Sequence, residues 1–274
     1  MLFRSAERLA MEPSAGRDIW TRVFYDAVHS VLAERLRFLN FGYDGPAART
    51  GAAVELEQDE LSRSQMRLYD RLIGDTPLDD RRILEIGCGR GGGCGFMAGT
   101  FSPRLVVGLD LVESNIATCR RHRSTACEQY IVGNATELPF AAGSFDVVVN
   151  VESSHNYRAF DRFVQEVYRV LTPGGSLLFG DFRPSAKSWN KAFGVFRDAG
   201  FFERGVEDIS DGVLRAIESQ EARDESALRG HGFDNASLAN VSEAILFFRS
   251  NACERMSTGD ARFMTATFTK VSSS

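Results

Sequence analysis

The stretch RILEIGCGRGGGCGFMA, from Arg82 to Ala98, joins a short apolar run to a dense cluster of glycines. RILEI has the length and composition of a buried β-strand, and the segment that starts at Gly92 predicts a helix despite its glycines. Glycine inside an element costs conformational entropy, so such a cluster usually serves a tight turn or a ligand. A glycine-rich turn between a strand and a helix is a ligand cradle, because the first N–H groups of the helix are free. The backbone at Gly87, Gly89 and Gly91 is therefore predicted to approach a ligand.

Strands and helices keep alternating after this turn. Amphipathic segments predict helices between a series of short apolar strands: RLVVGLD, EQYIVGN, SFDVVVNVE and GSLLFGDF. This alternation predicts a parallel sheet with helices on both faces. A strand at FFERGVEDIS, a long helical region and a strand at RFMTATFTKV follow. These two late strands predict a hairpin-like edge of the sheet.

The chain before this core has the pattern of helices. WTRVFYDAVHSVLAERLRFLN repeats apolar residues along one helical face, FGYDGPAART interrupts the pattern, and a second helix is expected to stop at Gly74. We predict four segments: a helical lid over 1–77, an α/β core over 78–210, a helical cap over 211–258, and a final strand with its tail over 259–274.

Composition excludes several classes of protein. The 274 residues carry a net charge of −5 and are 43% hydrophobic, which favours a globular protein with a small-molecule partner over a nucleic-acid-binding protein. The five cysteines are odd in number and lack metal-ligand spacing, so neither a disulfide framework nor a metal site is expected. The absence of a long apolar stretch predicts no secretory signal and no membrane span. The expected protein is reduced and cytoplasmic.

An acidic residue, Glu85, precedes the glycine-rich turn. A carboxylate beside the cradle would repel the pyrophosphate of a dinucleotide, but it could meet a cationic ligand directly or through water. This argues against a nicotinamide-dependent oxidoreductase, which the glycine pattern alone would allow.

Other polar residues stand where the predicted strands end. Asp110 follows the second strand, where a carboxylate can accept hydrogen bonds from both hydroxyls of a ribose. Asn134 and Ala135 follow the third strand, where the edge of a base could be read. The fourth strand ends at Asn150, Val151 and Glu152. The carboxyl ends of parallel strands share one edge of the sheet, which is where open α/β folds bind ligands.

Five ordered motifs together resemble those of class I S-adenosylmethionine-dependent methyltransferases. The matching segments are Glu85–Gly91, Gly108–Leu111, Gly133–Phe140, Ser144–Glu152 and Leu171–Gly175. More narrowly, NVESSHNY followed by FVQEVYRVLTPGG and GDFRP resembles bacterial small-molecule methyltransferases, including mycobacterial phthiotriolone-type lipid enzymes and natural-product and sterol enzymes. LNFGYD, from Leu39 to Asp44, resembles the FGYW-like N-terminal segment of that group. The resemblance implies a Rossmann-like, seven-stranded, mostly parallel sheet with an N-terminal helical lid and a helical cap between the last two strands.

The resemblance also implies a cofactor, S-adenosylmethionine, with S-adenosylhomocysteine as its product. Gly87 and Gly89 would approach the methionine portion, with Glu85 near its ammonium group. Asp110 would hold the ribose, and Leu111 would pack on the adenine.

Further cofactor contacts are implied by the next two strand ends. Asn134 and Ala135 would read the adenine edge, and Asn150 would lie near the methionine carboxyl end or the sulfonium, beside Val151. Relatives usually carry Asp where this chain has Asn134; its amide oxygen can still accept a hydrogen bond from the adenine amino group, so weaker binding is expected there. Cys88, inside the cradle, is interpreted as a small packing residue and not as a nucleophile.

Methyl transfer to an alcohol or phenol needs an aligned acceptor and benefits from a base. His155 follows the fourth strand directly and is the predicted base; the alternative is a histidine that only shapes its loop. The His29, His122 and His231 side chains are expected to be structural or exposed.

Several residues are candidates for substrate contact. Tyr25 and Tyr43 could line the pocket from the lid or could pack in the core. Glu152 could bind substrate or order its loop, and Asp181 and Phe182 end a later strand on the same rim, where Asp181 could act as a second acid or base. The apolar side of the cap suits a bulky apolar substrate and equally a subunit interface, which leaves a homo-oligomer open.

The leading interpretation is O-methylation of a bulky apolar molecule of lipid or specialised metabolism. One alternative is C-methylation of an alkene or of a prenyl or aromatic carbon through a carbocation, with cyclisation to follow in some cases. Another is a protein that binds the cofactor without catalysis, as an assembly or regulatory partner.

Overall fold

A computed structural model describes residues 37–46, 62–219 and 251–271 of the chain. The described helices and strands follow one another as α1 (Arg63–Ile73), β1 (Arg82–Ile86), α2 (Gly92–Thr100), β2 (Leu105–Asp110), α3 (Glu113–Arg121), β3 (Glu128–Val132), β4 (Phe145–Val151), α4 (Phe160–Val170), β5 (Leu171–Pro184), α5 (Ser185–Asp198), β6 (Phe201–Asp208) and β7 (Ala261–Lys270). A single 3-10 turn, Ser154–Asn156, separates β4 from α4. The alternation of strand and helix predicted from the sequence is confirmed.

The seven strands form one sheet in the order β3-β2-β1-β4-β5-β7-β6. Strands β1 to β5 are parallel to one another, whereas β7 runs antiparallel to both β5 and β6. The predicted Rossmann-like, mostly parallel sheet with a hairpin-like edge is therefore confirmed. This order places the ends of β1, β2, β3 and β4 side by side at one edge.

Both faces of the sheet are covered by helices, as predicted. In β1, Ile83 belongs to the core on the face of α1, α2 and α3, whereas Leu84 and Ile86 belong to the core beneath α4 and α5. This alternation follows from the two-residue period of a strand, which turns successive side chains to opposite faces. Buried apolar side chains form both cores, and the packed sheet supports the residues at its edge.

The LTPGG segment, Leu171–Gly175, links helix α4 directly to strand β5. Helix α4 ends at Val170, but Leu171 at once pairs with Phe145, and regular pairing resumes at Ser176 opposite Val147. The intervening irregular stretch contains a proline, which cannot donate to the ladder, and Gly174, whose φ is +77°. The segment is thus an irregular start of β5 and not a separate loop.

The predicted lid and cap are described in part. Helix α1 ends before Gly74, as expected, and residues 210–219 and 251–257, between β6 and β7, are helical. Within this cap, Ile217 is buried in the core on the face of α1. Most of the lid, including Tyr25 and His29, and the middle of the cap, including His231, lie outside the described residues, so the four-segment division stays a prediction. None of the helices in the described ranges is long and apolar enough to cross a bilayer.

Candidate functional site

A cleft lies at the carboxyl edge of the sheet, where β1, β2, β3 and β4 end. Its walls are the glycine-rich turn after β1, the residues that follow β2, β3 and β4, and the N-terminal segment 37–46, which we call the strap. The lining residues include Arg37, Phe38, Leu39, Asn40, Tyr69, Gly87, Cys88, Gly89, Asp110, Leu111, Val112, Asn115, Asn134, Ala135, Val151, Glu152, Ser153, Asn156 and Tyr157. Eight of the ten residues predicted to bind the cofactor are among them; Glu85 and Asn150 are not.

The glycine-rich turn brings bare backbone to the cleft, as predicted. Gly87 and Gly89 have φ angles of +73° and +52°, in the left-handed region that favours glycine. A Cβ atom at Gly87 would collide with the Ser153 side chain, and one at Gly89 would lie 3.3 Å from Leu39 Cδ1. Side chains at these positions would therefore fill the space between the turn and the opposite walls.

Asp110 ties the glycine-rich turn to the end of β2. Its Oδ2 atom accepts the Gly89 N–H at 2.8 Å, and its Oδ1 atom accepts the Val112 N–H at 2.9 Å and the Asn115 side-chain N–H at 3.3 Å. Burial raises the pKa of Asp110, against the lowering effect of these hydrogen bonds. The carboxylate faces the cleft and has spare acceptor capacity for ligand hydroxyls.

The end of β3 presents an amide whose oxygen is already engaged. Asn134 Oδ1 accepts both the backbone N–H and the side-chain hydroxyl of Thr136, each at 2.9 Å. A carbonyl oxygen has two lone pairs, so this arrangement leaves the Asn134 NH₂ group, a donor, for a ligand in the cleft. In this arrangement Thr136 occupies the amide oxygen, and the expectation that this oxygen accepts from an adenine amino group stays a prediction. Leu111 and Ala135 supply apolar walls on either side.

Glu85 lies beneath the glycine-rich turn and does not line the cleft. It shares the face of α1 and α2 with Ile83, since the two residues are two positions apart on β1. Its Oε1 atom accepts the Tyr69 hydroxyl at 2.5 Å, and its Oε2 atom accepts the Cys94 thiol at 2.9 Å. Burial raises the pKa of Glu85 to about 7. The structure thus separates Glu85 from the predicted contact with a ligand ammonium group, with Tyr69 between the carboxylate and the cleft.

Three thiols cluster behind the turn, which the sequence spacing did not reveal. The Cys88 thiol contacts the thiols of Cys94 and Cys119, and Cys119 Sγ lies 3.3 Å from the Gly89 carbonyl oxygen. Burial raises the pKa values of Cys88 and Cys94 well above the ordinary thiol range. The thiols of Cys88 and Cys94 therefore stay protonated and weakly nucleophilic, which supports the interpretation of Cys88 as a packing residue.

Asn150 also lies behind the lining. Its side-chain NH₂ group donates to the Ile86 carbonyl oxygen at 2.9 Å, to Ser153 Oγ at 2.7 Å and to the Tyr157 hydroxyl at 3.1 Å. Asn150 is fully buried, so it holds Ser153 and Tyr157 in the cleft wall and does not itself reach the cleft. Val151, the next residue, does line the cleft. Ser153 and Tyr157 were missed because nothing in their spacing distinguishes them from ordinary loop residues.

The strap covers the glycine-rich turn. The Arg37 guanidinium donates to the Gly91 carbonyl oxygen at 3.2 Å, and Phe38 packs so closely on Gly92 that a Cβ there would lie 2.7 Å from its ring. The FGYW-like resemblance found this segment, but the residue chosen from it, Tyr43, faces the core. Tyr43 is held by its N–H bond to the Ser64 carbonyl oxygen at 2.8 Å, which turns its ring away from the cleft.

His155 and Asp181 form a pair beside the cleft. His155 Nδ1 lies 2.7 Å from Asp181 Oδ1, and His155 Nε2 lies 3.1 Å from the side-chain nitrogen of Asn156, which lines the cleft. Asp181 is completely buried and also accepts hydrogen bonds from the Ser154 hydroxyl and from the Phe182 N–H.

The charge of Asp181 is stabilised by its partners. Burial alone would raise the pKa of Asp181, but the contacts with His155, Arg183 and Ser154 outweigh it and the pKa is lowered. The Arg183 guanidinium is 3.7 Å from Asp181 Oδ2 and donates to Ser154 Oγ at 2.7 Å. An ionised Asp181 makes His155 Nδ1 the donor of the pair and leaves Nε2 as the basic nitrogen.

The two remaining substrate candidates contact the strap. Phe182 packs edge-on against Phe41, with ring centroids 6.1 Å apart. The Glu152 carboxylate accepts the Phe41 N–H, at 2.9 Å to Oε1 and 3.1 Å to Oε2. Glu152 lines the cleft, and Phe182 does not.

Comparison with known proteins decides the family. Residues 84–179 match the model of a methyltransferase domain. The chain is 43% identical over 172 residues to a fatty-acid O-methyltransferase of Mycolicibacterium smegmatis, which is 62% of each chain. It is 36% identical over 211 residues to a phthiotriol/phenolphthiotriol dimycocerosates methyltransferase of Mycobacterium leprae, which is 75% of this chain and 76% of the relative. The chain belongs to the class I S-adenosylmethionine-dependent methyltransferases.

The fold supports the same assignment. The crystal structure of the [4+2]-cyclase SpnF superimposes with a TM-score of 0.71 at 20% identity, over 93% of this chain and 96% of that chain. At this identity the likeness concerns the fold alone. This methyltransferase is an enzyme whose cofactor is S-adenosylmethionine. The cleft suits that cofactor, because it offers bare backbone at Gly87 and Gly89, a carboxylate at Asp110 and apolar walls at Leu111 and Ala135.

Proposed function

We propose that this methyltransferase transfers a methyl group to a hydroxyl of a bulky apolar lipid, with His155 as the general base. The observation that carries the proposal is the hydrogen bond between His155 Nδ1 and the buried Asp181 Oδ1, 2.7 Å long. A buried carboxylate on one imidazole nitrogen fixes the tautomer and stabilises the imidazolium that forms when the other nitrogen takes a proton.

The His155–Asp181 pair lies next to residues that line the cofactor cleft. His155 is partly exposed, with 37% of its side chain accessible, while Asp181 is fully buried. Its neighbours Ser153 and Asn156 line the cofactor cleft, and Asn156 holds the basic nitrogen through its side chain. An incoming hydroxyl would replace Asn156 as the partner of Nε2.

The His155–Asp181 pair favours a hydroxyl over a carboxyl as the acceptor. A fatty acid is already ionised at neutral pH, so its oxygen needs no base, whereas an alcohol must lose its proton as it reacts. The relatives include enzymes named for each class of substrate, a fatty acid and a phthiotriol. The ionised Asp181 behind His155 therefore supports an alcohol, as in the phthiotriol class of substrate.

The chemistry of the proposed step is a displacement. The bound cofactor supplies an electrophilic methyl group on a sulfonium. The acceptor oxygen forms the new C–O bond as the C–S bond breaks, and the electron pair of that bond stays on sulfur. His155 Nε2 takes the hydroxyl proton, and the Asp181 carboxylate stabilises the resulting cation. The strap, which lines the cleft, would exclude water from this step.

The test is methyl transfer to a matched set of acceptors by the wild type and by His155→Ala. A long-chain 1,2-diol, a fatty acid of equal length and a long-chain alkene are each incubated with S-adenosylmethionine, and the products are assigned by NMR. We expect an ether from the diol, and a fall of about 100- to 1,000-fold in kcat in His155→Ala with cofactor affinity nearly unchanged. His122→Ala is the matched control, since His122 ends α3 and bonds only the Thr118 carbonyl oxygen by its ring.

The other products each overturn the proposal in a different way. Conversion of the fatty acid to its ester at the same rate in the wild type and His155→Ala would assign a carboxyl acceptor that needs no base. A new C–C bond in the alkene product would establish the C-methylation alternative instead. Cofactor binding without turnover of any of the three acceptors would overturn a long-chain diol as the acceptor.

A further inference from the structure

The Glu152 side chain, just after β4, bonds the strap that covers the glycine-rich turn. Its two carboxylate oxygens lie 2.9 and 3.1 Å from the Phe41 nitrogen, and the residues just before Phe41 in the strap line the cofactor cleft. We propose that Glu152 is a positioning residue that latches the strap over bound S-adenosylmethionine and controls the release of the product, S-adenosylhomocysteine. This role differs from the substrate contact expected from the sequence.

The latch is built from an unusual backbone conformation. Glu152 has a φ of +45°, which is uncommon for a residue with a side chain. Its N–H donates to the Gly180 carbonyl oxygen of β5 at 2.8 Å, which anchors this conformation to the sheet. The turn sends the carboxylate of Glu152 back toward the strap and not onward into the loop that carries His155.

The strap is shaped to present its N–H to that carboxylate. Asn40 Oδ1 accepts the Gly42 N–H at 2.9 Å, and Gly42 has a φ of +83°. This local turn points the Phe41 N–H inward. A hydrogen bond to an ionised acceptor is stronger than one between neutral groups, so the contact is suited to hold a segment that lacks a helix or strand of its own.

The two halves of the strap are anchored differently. The second half is fixed to the body of the protein by the Tyr43 N–H bond to Ser64 and the Asp44 N–H bond to Gly212, both 2.8 Å long. The first half, residues 37–41, lies on the glycine-rich turn, where Leu39 and Phe38 pack on bare backbone. The first half is held by Glu152 and also by the Arg37 guanidinium, which donates to the Gly91 carbonyl oxygen at 3.2 Å. Gly42 stands between the halves, so loss of the Glu152 contact would loosen the cofactor-facing half at Phe41 while the other half stays bound.

The strap also connects the cofactor cleft to the proposed base. The Phe41 ring packs on Phe182, whose N–H donates to Asp181 Oδ1 at 2.8 Å. Glu152 therefore holds Phe41 at the junction between the cofactor wall and the residue that supports His155. This proposal predicts that a change at Glu152 alters the dissociation rates of the cofactor and of its product, while His155 is retained.

Glu152→Gly is the decisive variant, because glycine is relaxed at a φ of +45° and the change removes the carboxylate without adding strain. Stopped-flow displacement of S-adenosylhomocysteine measures the dissociation rate, and amide hydrogen exchange measures the protection of the Phe41 N–H. We expect dissociation about tenfold faster and faster exchange at Phe41, while exchange at the Tyr43 N–H stays slow. Glu152→Gln keeps one acceptor oxygen and should restore most of the wild-type rate.

Glu203→Ala is the matched control, since Glu203 is an exposed carboxylate on β6, outside the cleft. It should leave both measurements unchanged. An unaltered dissociation rate in Glu152→Gly, with Phe41 exchange accelerated, would overturn the latch. So would unaltered protection of Phe41, because the N–H would then have another acceptor. Neither measurement involves the methyl acceptor, so failure of the proposed hydroxyl chemistry would not affect this result.

Discussion

Two carboxylates in the same sheet are equally removed from water and behave in opposite ways. Glu85, on β1, and Asp181, on β5, are 1% and 0% exposed. Burial raises the pKa of Glu85 to about 7, whereas the pKa of Asp181 stays below its ordinary value despite burial. The contrast therefore comes from their partners and not from their depth.

Neutral donors surround Glu85. The Tyr69 hydroxyl and the Cys94 thiol each give one hydrogen bond to it, and neither offsets the cost of a buried charge. Asp181 has the His155 ring at 2.7 Å and the Arg183 guanidinium at 3.7 Å, and both stabilise the ionised form. The protein thus keeps a fixed negative charge next to the proposed base and a weakly acidic group beneath the cofactor cradle.

The largest expected effect comes from neutralising Asp181, the ionised one of the two carboxylates. Asp181→Asn keeps the shape of the side chain but cannot stabilise a His155 imidazolium, so we expect kcat to fall about 1,000-fold with little change in cofactor affinity. Steady-state kinetics and calorimetric titration with S-adenosylhomocysteine measure the two quantities.

Asp208→Asn is the control for Asp181→Asn. Asp208 also has a lowered pKa and an arginine partner, Arg262, but it lies at the end of β6, away from the cleft. It should leave kcat unchanged. A similar loss of activity in both variants would show that general destabilisation, and not the charge beside His155, explains the result.

The next effect concerns stability and belongs to Glu85. Folded Glu85 keeps its proton up to about pH 7, whereas the unfolded chain releases it near the ordinary value of 4.5. Between these values the folded state binds more protons, so the free energy of unfolding should fall as the pH rises, by roughly 3 kcal/mol in total. Asp181 has the opposite sign: its stabilising contribution is present above its unfolded pKa and is lost as the pH falls below it.

Urea denaturation at pH 5 and pH 8 measures this slope. Glu85→Gln, which is neutral at both values, should remove most of the decrease between them. Glu128→Gln is the control, because Glu128 is a hydrogen-bonded carboxylate whose pKa is lowered, and it should leave the slope in place. An undiminished slope in Glu85→Gln would mean that Glu85 is ionised across the whole range.

The fold could be predicted because its signals are local and repeated. Each strand and helix of the core carries its own periodicity, and the order of these elements restricts the sheet to very few topologies. The residues at the strand ends were predictable for the same reason: Gly87, Asp110, Asn134 and Val151 occupy positions that any parallel sheet brings to one edge.

The errors arose where a side chain's direction depends on three-dimensional packing. Glu85 precedes the glycine-rich turn in sequence, but its position on β1 directs its side chain beneath that turn, away from the cleft. The Asn150 side chain likewise lies behind Ser153. For Tyr43 the sequence left two alternatives open, pocket lining and core packing, and the described structure has its ring in the core. The Phe41–Glu152 contact joins residues 111 positions apart, and no motif marks it.

The smallest expected effect comes from adding a third carboxylate, at position 134, for comparison with Glu85 and Asp181. Asn134→Asp puts a charge at the rim of the cleft, where Asn134 is exposed and water spares it the desolvation that Glu85 suffers. Thr136 would continue to bond one part of the carboxylate, which has about four lone-pair sites, and the free oxygen would face the ligand as an acceptor. The adenine amino group is a donor, so S-adenosylhomocysteine should bind about fivefold more tightly in calorimetric titration. Thr136→Val is the control: it removes the hydroxyl bond to the Asn134 oxygen but keeps the backbone N–H bond, so it frees one lone pair without adding charge and should give a smaller gain in the same direction. Weaker binding by Asn134→Asp would show instead that the adenine base accepts a hydrogen bond from the Asn134 NH₂ group. The wild-type amide would then already match the base.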